Sequence, residues 1–299
     1  MEPLRTSLAQ LIAVIPRQLG YLPTDRIAVV ALDAQSQLLA TCSADATGED
    51  AAHLFAAQAH APLVAQGAAS YIVVAFEDAA SLRHELATVA ADLSTDQTTV
   101  VAALRVAGGV IHHQDGSTEN IPELPEALTS MGAQPTGDRE ATRLSWLSIG
   151  GLAAADHGLD PIAAWCAILN QEATPEQIEQ AAHAATDVTL RDAIIFALTP
   201  EAARRTDDHP AQRILDTARS TPDIVEALRA AVSYLDDGPD AVPMLTVVLI
   251  AVWTRGSVGH IYLADRLIAL DAARTHRLAS LVLTAIAHGA NPARLRNHL

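Results

Sequence analysis

Residues 71–76 read Tyr-Ile-Val-Val-Ala-Phe, an apolar run with no polar alternation. A strand that faces solvent on one side alternates, so an unbroken run of this length predicts a central strand buried on both faces. Working outward, Arg26–Leu32 (RIAVVAL) is a second β-branched run, ended by the turn residues Asp33–Ser36, and Gln37–Cys42 reads as its return strand in a hairpin. Leu8, Leu11, Ile12 and Ile15 share a helical face that Pro16 and Gly20 should close. Asp50–Gln66 and Ser81–Leu93 read as helices, Thr98–Val106 as a strand, and Gly108-Gly109 as a tight turn into Val110–His113. The expectation for residues 1–115 is an α/β domain: a small sheet in the order ββαβαββ with helices packed on it.

Residues 116–139 hold Pro122, Pro125, Pro135, Gly116, Gly132 and Gly137, a density of breakers that predicts a linker or long loop. Residues 140–299 then read as an all-helical domain. Its predicted helices are Glu140–Ala155, Pro161–Gln171, Pro175–Thr186, Thr189–Leu198, Pro210–Arg219, Pro222–Leu235, Val242–Arg255, Ile261–Asp271 and Arg274–His288. Several open with Thr-Pro or Asp-Pro, a cap followed by proline in the first turn. The last part, a helix, Gly256 and a second helix ending near Asp271, is similar to a tetratricopeptide unit; an ordinary helical hairpin gives the same pattern.

Composition sets the surface. All 19 basic residues are arginine, against 35 acids, for a formal charge of −16. Such a surface repels phosphate backbones and anionic lipid, which argues against a general nucleic-acid or membrane-surface role. The six arginines after residue 240 (Arg255, Arg266, Arg274, Arg277, Arg294 and Arg296) face only Asp265 and Asp271 there, a net of +4 that leaves −20 on the rest of the chain. A basic end on an acidic body orients a partner, so these arginines are the candidate partner-binding face, for another protein or a second copy. A solvated basic face is the alternative.

Chemistry-bearing motifs are sparse. Without lysine there is no Walker loop, no kinase lysine and no Schiff-base lysine, and neither a Gly-x-Ser-x-Gly elbow nor a Gly-x-Gly-x-x-Gly fingerprint occurs. No catalytic residue, cofactor or metal is assigned. His112, His113, Asp115 and Glu119 are metal-capable but sit at a hairpin end, where adjacent histidines point to opposite faces. Glu176, Glu179 and His183 share a helix face without the Glu-x-x-His pattern of carboxylate-bridged metals. Asp207, Asp208 and His209 before Pro210 read as a helix cap. Cys42 and Cys166 lack ligand spacing and read as reduced, buried thiols. Met1–Pro16 has too short an apolar run for a signal peptide, so the expected location is cytoplasmic.

Leu11–Asp25 (LIAVIPRQLGYLPTD), the following RIAVVALD, the later YIVVAFED and the tail Ala251–Gly289 (AVWTRGSVGHIYLADRLIALDAARTHRLASLVLTAIAHG) resemble the actinobacterial family called domain of unknown function 4192. The middle departs from it: Val110–Glu126 has neither the family's aromatic-rich stretch nor its Cys-Cys-Pro-like turn. The resemblance implies no activity. It does single out the Pro-x-Asp turn, making Asp25 and Arg26 the candidate polar turn. It also implies a host in which a small modifier joined to lysine marks proteins for degradation, so the missing lysines are either selected or a product of codon bias. Arg229 and Arg266 read as exposed helix-face arginines that lysine could replace at small cost. The first functional expectation is a non-enzymatic interaction or assembly module; the second is an enzyme with its site at the strand ends near Pro23–Arg26; a third and weaker one is nucleic-acid contact through the arginine-rich end.

Overall fold

A computed structural model describes residues 7–125, 135, 137–199, 212–257, 259–290 and 292. The chain divides into two compact units, Met1–Arg139 and Glu140–Leu299. The described residues form one six-stranded sheet and thirteen α-helices.

The first unit opens with helix α1 (Leu8–Leu19), whose N-terminus is closed by a capping box between Ser7 and Gln10. Pro16 does not end this helix, as the sequence suggested; Gly20 does, in the left-handed conformation at φ 73°. Strands β1 (Arg26–Leu32) and β2 (Leu38–Ala44) form the expected hairpin. The Asp33 carboxylate ties its turn by accepting from the backbone N–H of Gln35 and Gln37, each at 2.8 Å. Helix α2 (Glu49–Ala65) leads to β3 (Ser70–Glu77), and helix α3 (Arg83–Leu93) leads to β4 (Thr99–Ala107). The sheet order is β2-β1-β3-β4-β5-β6, with β3/β4 parallel and the other pairs antiparallel.

Strand β3 is interior, between β1 and β4, and Val73 and Val74 are both 0% exposed. Its residues alternate between two cores. Tyr71, Val73 and Ala75 pack with Phe55 of α2 and Leu86 and Val89 of α3. Ile72, Val74 and Phe76 pack with Ile12 and Ile15 of α1 on the other face. Burial of each such side chain contributes about 1.5–3 kcal/mol, which is why the run tolerates no polar residue.

The expected helix before β1 is present as α1, and one further expectation for this unit changes. The stretch 116–139 is not only a linker: Thr118–Asn120 forms β6 against β5 (Val110–His112), and Leu22 donates its backbone N–H to Gly137 at 2.8 Å. Strand β6 was missed because three polar residues carry no hydrophobic period.

The second unit is helical: α4 (Arg139–Ser145), α5 (Pro161–Leu169), α6 (Pro175–Ala184), α7 (Val188–Leu198), α8 (Gln212–Ser220), α9 (Ile224–Ser233), α10 (Val242–Thr254), α11 (Gly259–Ala269), α12 (Ala272–Thr275) and α13 (Arg277–Ala287). Asp160, Thr174, Asp187, Asp223 and His276 cap helix N-termini with their side chains. Helix α10 is apolar on every side and buried throughout except Ile250, and it packs against α6, α7, α9, α11 and α13. In its pairing with α11, Val248, Val252, Leu263 and Leu267 are all fully buried.

The predicted helix Glu140–Ala155 stops at Ser145. Beyond it Leu152 forms a parallel bridge to Leu235, its N–H donating to Tyr234 and its carbonyl accepting from Asp236. Gly150 permits this approach, since a Cβ there would lie 2.5 Å from the Tyr234 carbonyl oxygen. The predicted helix Arg274–His288 is broken at His276, an extended residue that starts α13. No helix among the described residues is long and apolar enough to cross a membrane.

Candidate functional site

The strand-end turn comes first. Asp25 sits at φ 49°, a left-handed conformation that aspartate tolerates better than most residues. Its carboxylate accepts backbone N–H bonds from Asp78 (2.8 Å), Ala79 (3.2 Å) and Ala80 (2.9 Å), in the loop that follows β3. The Ala80 bond, followed by that of Asp78, holds the Asp25 carboxyl below its ordinary pKa. One residue earlier in the loop, Glu77 accepts from the Leu82 N–H at 2.8 Å and from Arg105 Nε at 2.9 Å, and pairs with Arg105 Nη2. Hydrogen bonding by Arg105 is the main reason that carboxyl is also held low. The loop N–H groups at this end of the parallel β3/β4 pair therefore cradle anions that belong to the chain itself. Asp25 is a brace between β1 and the loop.

Arg26 behaves differently. Its guanidinium lies 5.9 Å from the centre of the Tyr21 ring, and its Nε is buried with no hydrogen-bond partner among the described residues. Tyr21 in turn bonds Ser43 of β2 through its hydroxyl. Asp45, beyond β2, is close enough to feel Arg26, but its carboxyl is held low first by the Thr47 hydroxyl and backbone.

The other polar clusters are also internally satisfied. His113 bonds Glu119 across the β5–β6 hairpin at 3.0 Å, and Asp115 takes both the N–H and the hydroxyl of Ser117. His112 pairs in register with Arg105 on one side and Thr118 on the other. Glu179 bonds His157 at 2.6 Å, in the segment before α5, and the neighbouring Gln180 oxygen accepts from the backbone of His157 and Leu159. Glu176 and His183 share that helix face. One cluster escaped sequence reading: His53 on α2 bonds Asp92 on α3 at 2.5 Å, while Glu49 lies 3.9 Å from His53 and 3.8 Å from His84. Asp92 is the first cause of a raised His53 pKa. Only the i, i+4 spacing of Glu49 and His53 was visible beforehand. Among the described residues no group of three such side chains is placed to hold a metal ion.

Both thiols are free, and burial pushes Cys42 up to about 12, so the thiolate needed for nucleophilic chemistry is not formed there. Asp207, Asp208 and His209 lie outside the described residues, as do Arg294 and Arg296.

The structure revises the basic end. Arg266 is 4% exposed, so it cannot belong to a partner-binding face. It donates to the carbonyls of Val232 (2.8 Å), Leu235 (2.6 Å) and, at 3.4 Å, Trp146, and it pairs with Asp237. Arg255 donates to the Leu198 carbonyl at 2.7 Å. Arg229, also read as exposed, is partly buried, forks onto Glu226 and donates to the Ser145 carbonyl. Among the described residues two of the basic face remain open to solvent: Arg277, and Arg274, whose side chain is 82% exposed and lies 3.6 Å from Asp271. The exposed positions of α11 and α13 mix large apolar residues with polar ones: Asp265 stands between Ile261 and Ile268, and Arg277 and Thr284 flank Leu281. Ile268 is 63% and Leu281 60% exposed, with Ile261 on the same stripe as Ile268 and Leu281 one turn beyond Arg277.

Comparison with known proteins finds no matching family model, curated protein or solved structure.

Proposed function

We propose that this chain is a non-enzymatic protein-interaction module that docks an acidic, amphipathic segment of another protein on the outer face of α11–α13. The observation that carries the reading is the exposure of Ile261, Ile268 and Leu281 on the same short stretch that presents Arg274 and Arg277. An exposed leucine alone says little; three exposed aliphatic residues in the stretch 261–281, which also presents two solvent-facing guanidiniums, offer both apolar and cationic contacts to a partner. The chemistry that fits is a helix with leucine on one face and glutamate beside it. Kinship with domain of unknown function 4192 is compatible with this reading and adds no activity to it. A catalytic site at Pro23–Arg26 has less to work with, because the Asp25 carboxylate is already taken by three backbone donors.

The test uses a defined probe: a fluorescein-labelled helical peptide with a Leu/Glu face, titrated by anisotropy. The wild-type chain should bind it, less tightly at higher salt. Leu281→Glu and the double reversal Arg274→Glu/Arg277→Glu should each weaken binding at least tenfold, and a Leu/Lys peptide should not bind. Equal affinity of all variants, or preference for the Leu/Lys peptide, overturns the proposal.

A further inference from the structure

The two edges of the sheet are treated very differently. On one side β6 is three residues long, exposed at each position and polar throughout, Thr118-Glu119-Asn120. A short edge strand carrying a charge resists pairing with another chain. On the other side β2 runs seven residues, Leu-Leu-Ala-Thr-Cys-Ser-Ala, with no charge, proline or glycine. Strand β1 covers only its inner edge. A register shift opposite Ala31/Leu32 displaces Leu39, and Ala40–Ala44 continue in regular pairing. No backbone hydrogen bond reaches β2 from outside the β1 ladder among the described residues. Alternate N–H and C=O groups along β2 are therefore directed outward with no backbone partner among the described residues.

We infer that β2 is a homodimerisation edge: two copies pair their β2 strands antiparallel about a two-fold axis, joining two six-stranded sheets into one of twelve. The argument for a second copy is self-complementarity. A bare strand edge is its own complement under a two-fold, since the same donors and acceptors meet in reverse order. Overlap is greatest when the axis passes through the middle residue, Thr41. Leu38 then faces Ala44 of the second copy, Leu39 faces Ser43, Ala40 faces Cys42, and Thr41 faces itself. None of these pairs sets like charges opposite one another, and Asp45 falls across from Gln37. The ladder is small beside the ~1,200–2,000 Å² of a stable interface, so association belongs in the micromolar range. Each copy also carries −16, so long-range repulsion opposes the encounter. Added salt should therefore strengthen this dimer, opposite in sign to the contact proposed for α11–α13, on which it does not depend.

The test is made on the full chain. Sedimentation at roughly 10–300 µM, a range suited to a weak interface, should show a shift from 31.4 kDa towards twice that mass, favoured by salt and retained in Arg274→Glu/Arg277→Glu at high salt, where the added negative charge is screened. Hydrogen exchange should show the outward amides of Leu38–Ala44 protected at high concentration and exchanging on dilution. In a Cys42→Ala/Cys166→Ala background, Thr41→Cys should oxidise to a disulfide-linked dimer, because directly opposed antiparallel residues sit about 4.5–5.5 Å apart at Cα, inside the disulfide range. A chain that stays monomeric throughout, or a dimer whose β2 amides exchange at the monomer rate, overturns the inference; a protected dimer without the Thr41→Cys crosslink overturns the two-fold centred there.

Discussion

Replacing Arg266 by lysine is the sharpest test of how the second unit is held together, because sequence and structure disagree on the outcome. On an exposed helix face the exchange should cost a few tenths of a kcal/mol. In the structure the guanidinium is buried and serves three carbonyls, those of Trp146, Val232 and Leu235, as well as Asp237. Leu235 lies just beyond the end of α9, where carbonyls lack helical partners, and Trp146 follows α4, whereas the Val232 carbonyl also accepts from the Leu235 N–H at 3.3 Å. An ammonium has three donors on one atom and cannot reproduce the planar fork. If it keeps Asp237 and the Val232 carbonyl, those of Leu235 and Trp146 are left unpaired at about 1–2 kcal/mol each, within the usual range for orphaned acceptors. The expected loss is about 2–4 kcal/mol, or a fall of about 1–2 M in the urea midpoint for a typical slope. Trp146, Trp165 and Trp253 all lie in the second unit, so tryptophan fluorescence reads its unfolding selectively. Arg274→Lys, at an exposed position, is the control and should change the midpoint little. A stability for Arg266→Lys within about 0.5 kcal/mol of wild type would refute the reasoning.

Other outcomes follow from the same packing. Gly259→Ala should destabilise the second unit by about 1–3 kcal/mol through overpacking, read in the same urea titration, since its Cβ would fall 2.2 Å from the Trp146 ring. Asp25→Ala should lower the melting temperature of the first unit. Because the folded Asp25 carboxyl titrates below its ordinary value, its contribution is present above about pH 4 and lost as pH falls further, so calorimetry should show a shallower acid limb in the variant. His276 accepts from the Ala279 N–H at 3.3 Å, and burial, with Arg191 nearby, holds its pKa below normal. Its stabilisation is thus present above about pH 6.5 and lost as pH falls through the folded value. His276→Asn keeps a capping oxygen and should reduce the loss of melting temperature between pH 7.5 and 5. Part of that loss remains, since burial also depresses His260.

Strand β3 was legible because two-sided burial removes every polar residue from Tyr71–Phe76, a local signature of a global position. The Asp-Pro and Thr-Pro helix starts of α5 and α6 were legible for the same reason, as the cap and its proline act within one turn. What the sequence hid were partnerships between distant segments. Nothing near Asp25 announces that its carboxylate binds a loop 53–55 residues later, and nothing near Arg266 announces carbonyls 31–120 residues earlier. A charged residue in a helical pattern is read as solvated unless something local objects, so Arg266 and Arg229 were placed on the surface. The helix expected through Glu140–Ala155 ran over Gly150-Gly151, a breaker pair of the same kind as Gly108-Gly109, while the Leu152–Leu235 bridge needs a partner that no local pattern reveals. The pairing of α10 with α11 was legible, since periodicity places Val248, Val252, Leu263 and Leu267 inside and all four are buried; the exposure of Ile261, Ile268 and Leu281 was not.

Methyl NMR tests the central claim, that α11–α13 is a docking face, most directly. Isoleucine and leucine methyls are labelled, and the Leu/Glu peptide is titrated into the full chain. The account predicts that Ile261, Ile268 and Leu281 shift first and furthest, that the methyls of β1 and β3 stay in place, and that Arg274→Glu/Arg277→Glu suppresses the shifts. Shifts centred elsewhere, or none at millimolar peptide, would contradict it.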